Sequence, residues 1–163
     1  MSAVIGKAWR KWLVLALLLA AVFAVSAIGA SVTAPKSPGW YAGLTKPWFN
    51  PPSWVFGPAW TILYVLMSVA AWRVWLAPES GARRTALILF AVQFALNALW
   101  SPAFFGMESP RLGLAVIVLL LIALAATVWR FFAVDRAAGW MMVPYLAWVA
   151  FAAVLNGAIA VLN

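Results

Sequence analysis

Aromatic and amide side chains are the groups in this chain whose spacing points to a binding site. The sequence has no histidine and no cysteine, which excludes catalytic triads, thiolate chemistry, zinc sites and the usual axial ligand of haem. Its three acids, Glu79, Glu108 and Asp135, all fall in predicted loops or at helix ends. Nothing therefore supplies a conventional acid, base, nucleophile or metal ligand, and we expect neither a metal nor a cofactor.

Three sets of aromatic and amide residues recur at helical spacing. Residues three, four, seven and eleven apart lie on one face of a helix, so each set forms a stripe. Amides are costly against lipid, and Gln93, Asn97 and Asn156 should therefore face the interior of a helix bundle. The stripes are Trp60 and Tyr64; Gln93, Asn97, Trp100 and Phe104; and Tyr145, Trp148, Ala152 and Asn156.

These stripes have two interpretations that the spacing does not separate. In one, the amides hydrogen-bond across helices and the aromatic rings fill the core. In the other, the three faces line a cavity for a large, flat, apolar ligand such as a porphyrin or a sterol, because flat aromatic walls with few polar groups suit such a molecule.

The elements that carry the stripes are membrane helices. Of the 163 residues, 67% are hydrophobic and 9% are charged, and the mean hydropathy is +1.03, whereas a soluble domain is about 25% charged. A spanning helix needs about 20 mostly apolar residues. Five segments meet that length, which predicts one all-α, five-helix membrane domain over residues 1–163. The segments are approximately 12–33, 54–76, 85–105, 112–132 and 140–162.

The connection between the first two helices, residues 34–53, should be an ordered loop. Six of the ten prolines lie between Pro35 and Pro58, and proline lowers the entropy of a loop. Long ordered loops are usually lids or binding loops. Pro102 should bend the end of the third helix, while Pro58 and Pro144 are expected in first turns, where proline is tolerated.

The basic residues indicate an orientation rather than a nucleic-acid partner. The net charge is +8, and the cations are scattered at helix ends where they meet anionic lipid headgroups, so we expect membrane lipids and no nucleic acid as partners. By the positive-inside rule, the N-terminus is cytoplasmic and the C-terminus outside, if the protein sits in an inner membrane. The inner side would carry Lys7, Arg10, Lys11, Arg73, Arg83, Arg84, Arg130 and Arg136, and the outer side Lys36, Lys46 and Arg111.

No Asp, Glu, Lys or Arg falls near the middle of a predicted span. Ion-coupled transporters and proton pumps usually need such buried ionisable groups. The sequence therefore argues against active transport and leaves binding or passive movement of a ligand.

The block WYAGLTKPWFNPPSWVFGPAWTILY, residues 40–64, resembles the signature of the TspO family. These are the bacterial tryptophan-rich sensory proteins, homologous to the mitochondrial translocator protein, or peripheral benzodiazepine receptor. The resemblance continues in QFALNALWSPAFFG (93–106) and in PYLAWVAFAAVLN (144–156). The three blocks cover about a third of the chain in the family's order and spacing, whereas the first and fourth helices match only in hydropathy.

The resemblance implies a bacterial integral membrane protein, commonly a homodimer, with a pocket under its first loop. It implies binding of porphyrins such as protoporphyrin IX, of sterols, and of isoquinoline or benzodiazepine ligands, in a receptor or transport role. The stripes add Tyr145 to the ligand-binding residues that the resemblance implies. Those residues are Tyr41, Trp60, Tyr64, Asn97, Trp100, Trp148 and Leu155.

The sequence departs from the family in its fifth helix. The family's sterol-recognition motif needs a tyrosine and then a basic residue after the Leu-Asn pair. Here Gly157 follows Leu155 and Asn156, and Val161 stands where the basic residue would be. Such motifs are weak patterns, but this absence moves the preferred ligand from sterol toward a metal-free tetrapyrrole, which needs no axial ligand.

Three functions remain as hypotheses at this point. The chain binds a tetrapyrrole in a bundle pocket for transport, sensing or regulation. It degrades the bound porphyrin in light, an activity that the resemblance attaches to Trp60 and Trp148. Or it is a structural membrane scaffold without a small ligand.

Overall fold

The computed structural model describes the backbone of residues 2–163 and the side chains of residues 9–163. Over those residues it contains no strand, and five helices are long and apolar enough to cross a membrane, which confirms the predicted fold class. The helices are α1 (Ser2–Thr33), α2 (Phe56–Leu76), α3 (Gly81–Ser101), α4 (Pro110–Val134) and α5 (Arg136–Leu162).

Side-chain caps set where the last three helices begin. Ser80 Oγ accepts from the backbone N–H of Arg83 at 3.1 Å, and Asp135 Oδ1 accepts from that of Ala138 at 3.0 Å. Ser109 caps α4 in the same way. Such caps satisfy N–H groups that the first turn leaves unpaired, and they start each helix earlier than hydropathy indicates. One expectation is wrong as a result: Pro144 lies well inside α5 rather than in its first turn.

The five helices close into a ring in the order α1, α2, α5, α4, α3. One end of the bundle, where α2 connects to α3, is tightly held. Trp72 Nε1 donates to the carbonyl of Lys11 at 2.7 Å, and its ring stacks on Trp12 with 5.4 Å between centroids. Arg73 pairs with Asp135 at 2.9 Å. We call this end of the bundle the closed end, because buried side chains fill it.

The opposite end is covered by residues 34–55, which we call the roof. It contains a π-helical turn at Ser37–Tyr41 and a 3-10 turn at Ser53–Val55. Trp40 packs edge-on against Phe104, 5.5 Å between ring centroids. Pro102 ends the regular part of α3, as expected, because the chain continues there in a π-helical turn, Pro102–Gly106.

Exposed tryptophans mark both ends of the bundle. At the closed end they are Trp9, Trp12, Trp129 and Trp140, and at the roof they are Trp48 and Trp54. Indoles prefer the membrane–water interface, so the two groups locate the two surfaces of the bilayer. Trp72, in the last turns of α2, joins α1 to α2 instead.

Candidate functional site

A cavity of about 530 Å³ lies beneath the roof, enclosed by α1, α2, α3 and α5 with a small contribution from α4. Volumes of about 300–1,000 Å³ are typical of small-molecule sites. The structure brings seven of the eight predicted ligand-binding residues to its wall. They are Tyr41, Trp60, Tyr64, Asn97, Trp100, Trp148 and Leu155.

The eighth residue, Tyr145, lies directly behind that wall and is fully buried. It takes part in a hydrogen-bonded bridge between three helices. Tyr64 donates from its hydroxyl to Asn97 Oδ1 at 3.1 Å, and Asn97 donates from Nδ2 to the Tyr145 hydroxyl at 2.8 Å. Both ends of the Asn97 amide are therefore satisfied, and the bridge fixes the wall at the depth where the cavity ends.

A second amide supports the wall nearer the roof. Trp100 donates from Nε1 to Asn156 Oδ1 at 3.2 Å, and Asn156 Nδ2 donates to the carbonyl of Pro110 at 2.7 Å. The close approach depends on Gly113 of α4, where an added Cβ would lie 2.7 Å from Phe104 and 3.0 Å from Asn156 Oδ1. The indole of Trp100 is thus held by α5 and is linked through Asn156 to α4.

The third interior amide behaves differently. Gln93 is 0% exposed, as predicted for a residue facing the bundle interior. Neither polar atom of its side chain has a hydrogen-bond partner among the described residues, and it is absent from the cavity wall. The α3 stripe therefore divides: Asn97, Trp100 and Phe104 line the cavity, whereas Gln93 points into the packed bundle below it.

Aromatic rings from three helices form the flat parts of the wall. Trp60 of α2 lies 5.2 Å from the ring of Tyr64, and Trp148 of α5 lies 5.9 Å from Phe56. On α3, Trp100 stacks on Phe104 at 5.3 Å. Each ring is locked by an aromatic neighbour, so the walls are pre-organised rather than formed by the ligand.

The wall carries no Asp, Glu, Lys or Arg among the described residues. Part of its polar lining lies at the roof, where Tyr41 donates to Asn50 Oδ1 at 3.2 Å. Burial raises the pKa of the Tyr41 phenol above its ordinary value, so the group is neutral at physiological pH. Lys46 lies beside it, with Nζ 4.7 Å from the centre of the Tyr41 ring. The arrangement suits binding of a mostly uncharged, flat molecule whose polar groups lie near the roof.

Sequence reasoning missed the contribution of α1. Its cavity-lining residues Ser26, Gly29 and Thr33 follow i, i+3, i+7 spacing. That pattern was available, but small residues produce no contrast in hydropathy within an apolar helix. Other wall residues also stood outside the stripes, and those with polar or aromatic side chains include Asn50, Ser53, Phe56 and Ser101.

The sequence is similar to those of several known proteins. The model of the TspO/MBR family matches residues 16–162. The chain is 46% identical over 145 residues to the tryptophan-rich sensory protein of Cereibacter sphaeroides, covering 89% of this chain and 88% of that protein. It is 44% identical over 159 residues to the tryptophan-rich protein TspO of Chlorobaculum tepidum, covering 94% and 98%. It is 42% identical over 122 residues to the human translocator protein, covering 72% and 70%.

Proposed function

The chain belongs to the TspO/MBR family, and from that premise we propose that it binds a metal-free tetrapyrrole of the protoporphyrin IX type beneath the roof. The family relationship supports a membrane role in sensing or transport. The ligand and its site are our proposal, and they depend mainly on one observation. Three indoles from three helices, Trp60, Trp100 and Trp148, border a single cavity whose described lining residues include no charged side chain.

The shape of the wall supports a planar ligand. A porphyrin macrocycle presents two large π-faces, which pair favourably with indole and phenyl rings at offset or edge-on geometry. It needs no axial ligand when it carries no metal, which agrees with a chain that has no histidine. The same cavity admits sterols and isoquinoline- or benzodiazepine-type ligands by apolar contact, as weaker or synthetic alternatives.

The roof supplies groups for the carboxylates of such a ligand. Lys46 Nζ is held by the carbonyls of Ala42 and Leu44, at 3.2 and 3.0 Å, beside the cavity-lining Tyr41. Together with the side chains of Asn50 and Ser53, it offers donors and positive charge at the roof edge of the cavity. A dicarboxylate ligand would therefore lie with its apolar edge deep and its acidic edge toward the roof.

We further propose the orientation and assembly that the sequence indicated. Among the described side chains, the closed end carries seven cations against three at the roof, which supports a cytoplasmic closed end. The seven are Arg10, Lys11, Arg73, Arg83, Arg84, Arg130 and Arg136, and the three are Lys36, Lys46 and Arg111; Lys7 lies outside the described side chains. Ala91 and Ala95 form a small-residue pair on the outer surface of α3. That face suits close contact with a second copy of the chain in a homodimer.

The proposal is tested by titrating the detergent-solubilised protein with protoporphyrin IX and following tryptophan fluorescence. We expect saturable quenching, since three indoles border the cavity. The Trp60→Phe/Trp148→Phe double variant should bind at least tenfold more weakly. Trp129→Phe/Trp140→Phe, which changes two exposed interfacial indoles, is the matched control and should retain the affinity of the unsubstituted protein.

Equal weak quenching in both double variants would contradict this site and favour a scaffold without a small ligand. Illumination of the complex separates binding from the degradation hypothesis. A porphyrin absorbance that decays no faster with the protein than without it would leave binding as the function.

A further inference from the structure

The helices α1 and α2 border one side of the cavity, and among the described residues their one side-chain hydrogen bond lies at the closed end. There Trp72 donates to the carbonyl of Lys11, and its ring stacks on Trp12. Toward the roof, α1 is held by α3 instead: Ser101 Oγ lies 3.1 Å from the carbonyl of Gly29 and 2.7 Å from Thr33 Oγ1. No side-chain hydrogen bond or ion pair among the described residues joins the roof-side halves of α1 and α2.

Small residues border the cavity along that side, and they are open to the outside as well. Ala30 of α1 and Gly57 and Thr61 of α2 all line the cavity, yet all three are exposed on the surface of the protein. We infer that these positions form the rim of an opening, because a residue at a rim meets both the cavity and the surroundings of the protein. A Cβ added to Gly57 would meet nothing within 4 Å, so the space beside this residue is empty. We call these three residues, with Ser26 of α1, the portal.

The portal faces the hydrocarbon of the membrane. Trp54 is 75% exposed and Trp48 is 96% exposed, and such indoles mark the bilayer interface. Gly57 and Thr61 follow Trp54 by three and seven residues along a helical stretch, so they lie about 4.5 and about 10 Å deeper at a rise of about 1.5 Å per residue. The portal therefore opens below the headgroups of the roof-side leaflet.

The roof, by contrast, is fastened to several helices. Asn163 accepts from the backbone N–H of Thr45 and donates to its carbonyl, both at 3.0 Å. Lys36 pairs with Glu108 at 2.7 Å. Trp40 packs on both Phe104 and Phe105. Opening the roof to water would break all of these contacts together, whereas passage through the portal breaks none of them.

We propose that the ligand enters and leaves sideways, between α1 and α2, from the roof-side leaflet of the bilayer, and that the roof stays shut during exchange. This inference rests on the proposed function and narrows the ligand class. The ligand must be a molecule that partitions into the bilayer and can slide edge-on through a slot bordered by small residues, with any acidic groups kept at headgroup level. A water-soluble, fully ionised molecule has no such route.

A reversible cross-link across the portal provides the test, because the chain has no cysteine of its own. The Ala30→Cys/Thr61→Cys variant is reconstituted in phosphatidylcholine nanodiscs and treated with a bifunctional thiosulfonate reagent, with the cross-link verified by intact mass. Protoporphyrin IX is then supplied from donor vesicles, and its association is followed by tryptophan quenching. Release from preloaded protein into empty vesicles is measured in parallel.

We expect the cross-link to slow association at least tenfold when made before loading, and to slow release at least tenfold when made after loading. A reducing agent should restore both rates. The matched control is Thr45→Cys/Asn163→Cys, which fastens the roof at an existing contact and should leave both rates within twofold. An Ala30→Phe/Thr61→Phe variant, which narrows the portal without a reagent, should slow both rates in the same direction.

The inference is overturned if the portal cross-link and the phenylalanine pair leave both rates within twofold, or if the roof cross-link slows exchange as much as the portal cross-link does. Failure of the proposed function has a different signature. In that case the protein without any cross-link shows no saturable quenching, and no rate can be defined.

Discussion

The closed end and the roof end of this bundle are built from the same residue types but pack in opposite ways. At the closed end, fully buried alanines allow the helices to approach, and large side chains such as Phe131 and Met142 fill what remains. At the roof end, Ala30 and Gly57 border the cavity instead, and a Cβ added to Gly57 would meet nothing within 4 Å. A small residue brings helices together where both helices are held at close range, and among the described residues the side-chain hydrogen bond between α1 and α2 lies at the closed end.

Polar groups show the same contrast. At the cavity, Asn97 and Asn156 each hydrogen-bond to neighbouring helices and hold the wall open against collapse. Below it, Gln93 is buried with no protein partner among the described residues. The comparison teaches that the cavity is a structured feature, maintained by satisfied amides, and not a packing defect.

The largest expected effect is on stability, at the closed end. Phe131 is 0% exposed and stacks on Phe90 with 6.0 Å between centroids. Phe131→Ala should leave an unfilled void and lower the free energy of unfolding by about 3 kcal/mol. Thermal unfolding in detergent measures it. The paired variant Phe151→Ala changes a half-buried ring near the roof and should lower the free energy of unfolding by less than half as much. Equal losses of stability in the two variants would contradict the difference in packing between the two ends.

Replacing the two interior amides Asn97 and Gln93 by leucine should change the free energy of unfolding differently. Asn97→Leu strands the hydroxyls of Tyr64 and Tyr145 in an apolar interior, and such unpaired groups cost about 1–3 kcal/mol. Gln93→Leu removes an amide that has no partner and should be neutral or stabilising. Both variants are compared by thermal unfolding under identical conditions. Equal destabilisation by the two changes would show that Gln93 also has a partner in the folded protein.

A smaller effect is expected at Gly113, where the cavity wall is closest to α4. In Gly113→Ala the new Cβ would lie 2.9 Å from Phe104 Cβ, so Phe104 must move toward the cavity. Overpacking of this kind costs about 1–3 kcal/mol, and we expect protoporphyrin affinity to fall about tenfold, which corresponds to about 1.4 kcal/mol. Gly157→Ala is the control, because its Cβ would make an ordinary 3.8 Å contact with Leu114 and should leave affinity unchanged.

The smallest effect concerns the ion pair that fastens the closed end. Burial raises the pKa of Asp135, but hydrogen bonds from Ala138 and Arg73 and the charge of Arg73 outweigh it and hold the pKa below its ordinary value. A lowered folded-state pKa stabilises the protein above the unfolded pKa of about 3.9, and that stability is lost as pH falls through the folded pKa.

Asp135→Asn keeps a helix-capping side chain and should cost no more than about 1 kcal/mol at pH 7, because the pair is partly solvated. The variant and the unsubstituted protein should converge in melting temperature when the pH is lowered from 6 toward 3 (about one unit below the ordinary Asp pKa). A constant difference over that range would show that the ion pair contributes nothing to the pH dependence.

Much of the architecture followed from the sequence alone. Five apolar segments of spanning length, with tryptophans near their ends, specify a five-helix membrane bundle because lipid leaves few alternatives for a backbone that must satisfy its own hydrogen bonds. The spacing of Gln93, Asn97 and Asn156 was enough to predict that all three face the interior, since an amide facing lipid is costly, and all three are buried. The block at residues 40–64 indicated the family by itself.

The tertiary structure decided what periodicity cannot express. Helical spacing assigns a residue to a face, but it does not say whether the facing helix is near or far at that depth. It therefore could not separate Asn97, which borders the cavity, from Gln93, one turn away in the packed bundle. Nor could it show that α1 leans on α3 near the roof and leaves Ala30 and Gly57 on either side of an opening, because that depends on long-range contacts such as Ser101 with Gly29.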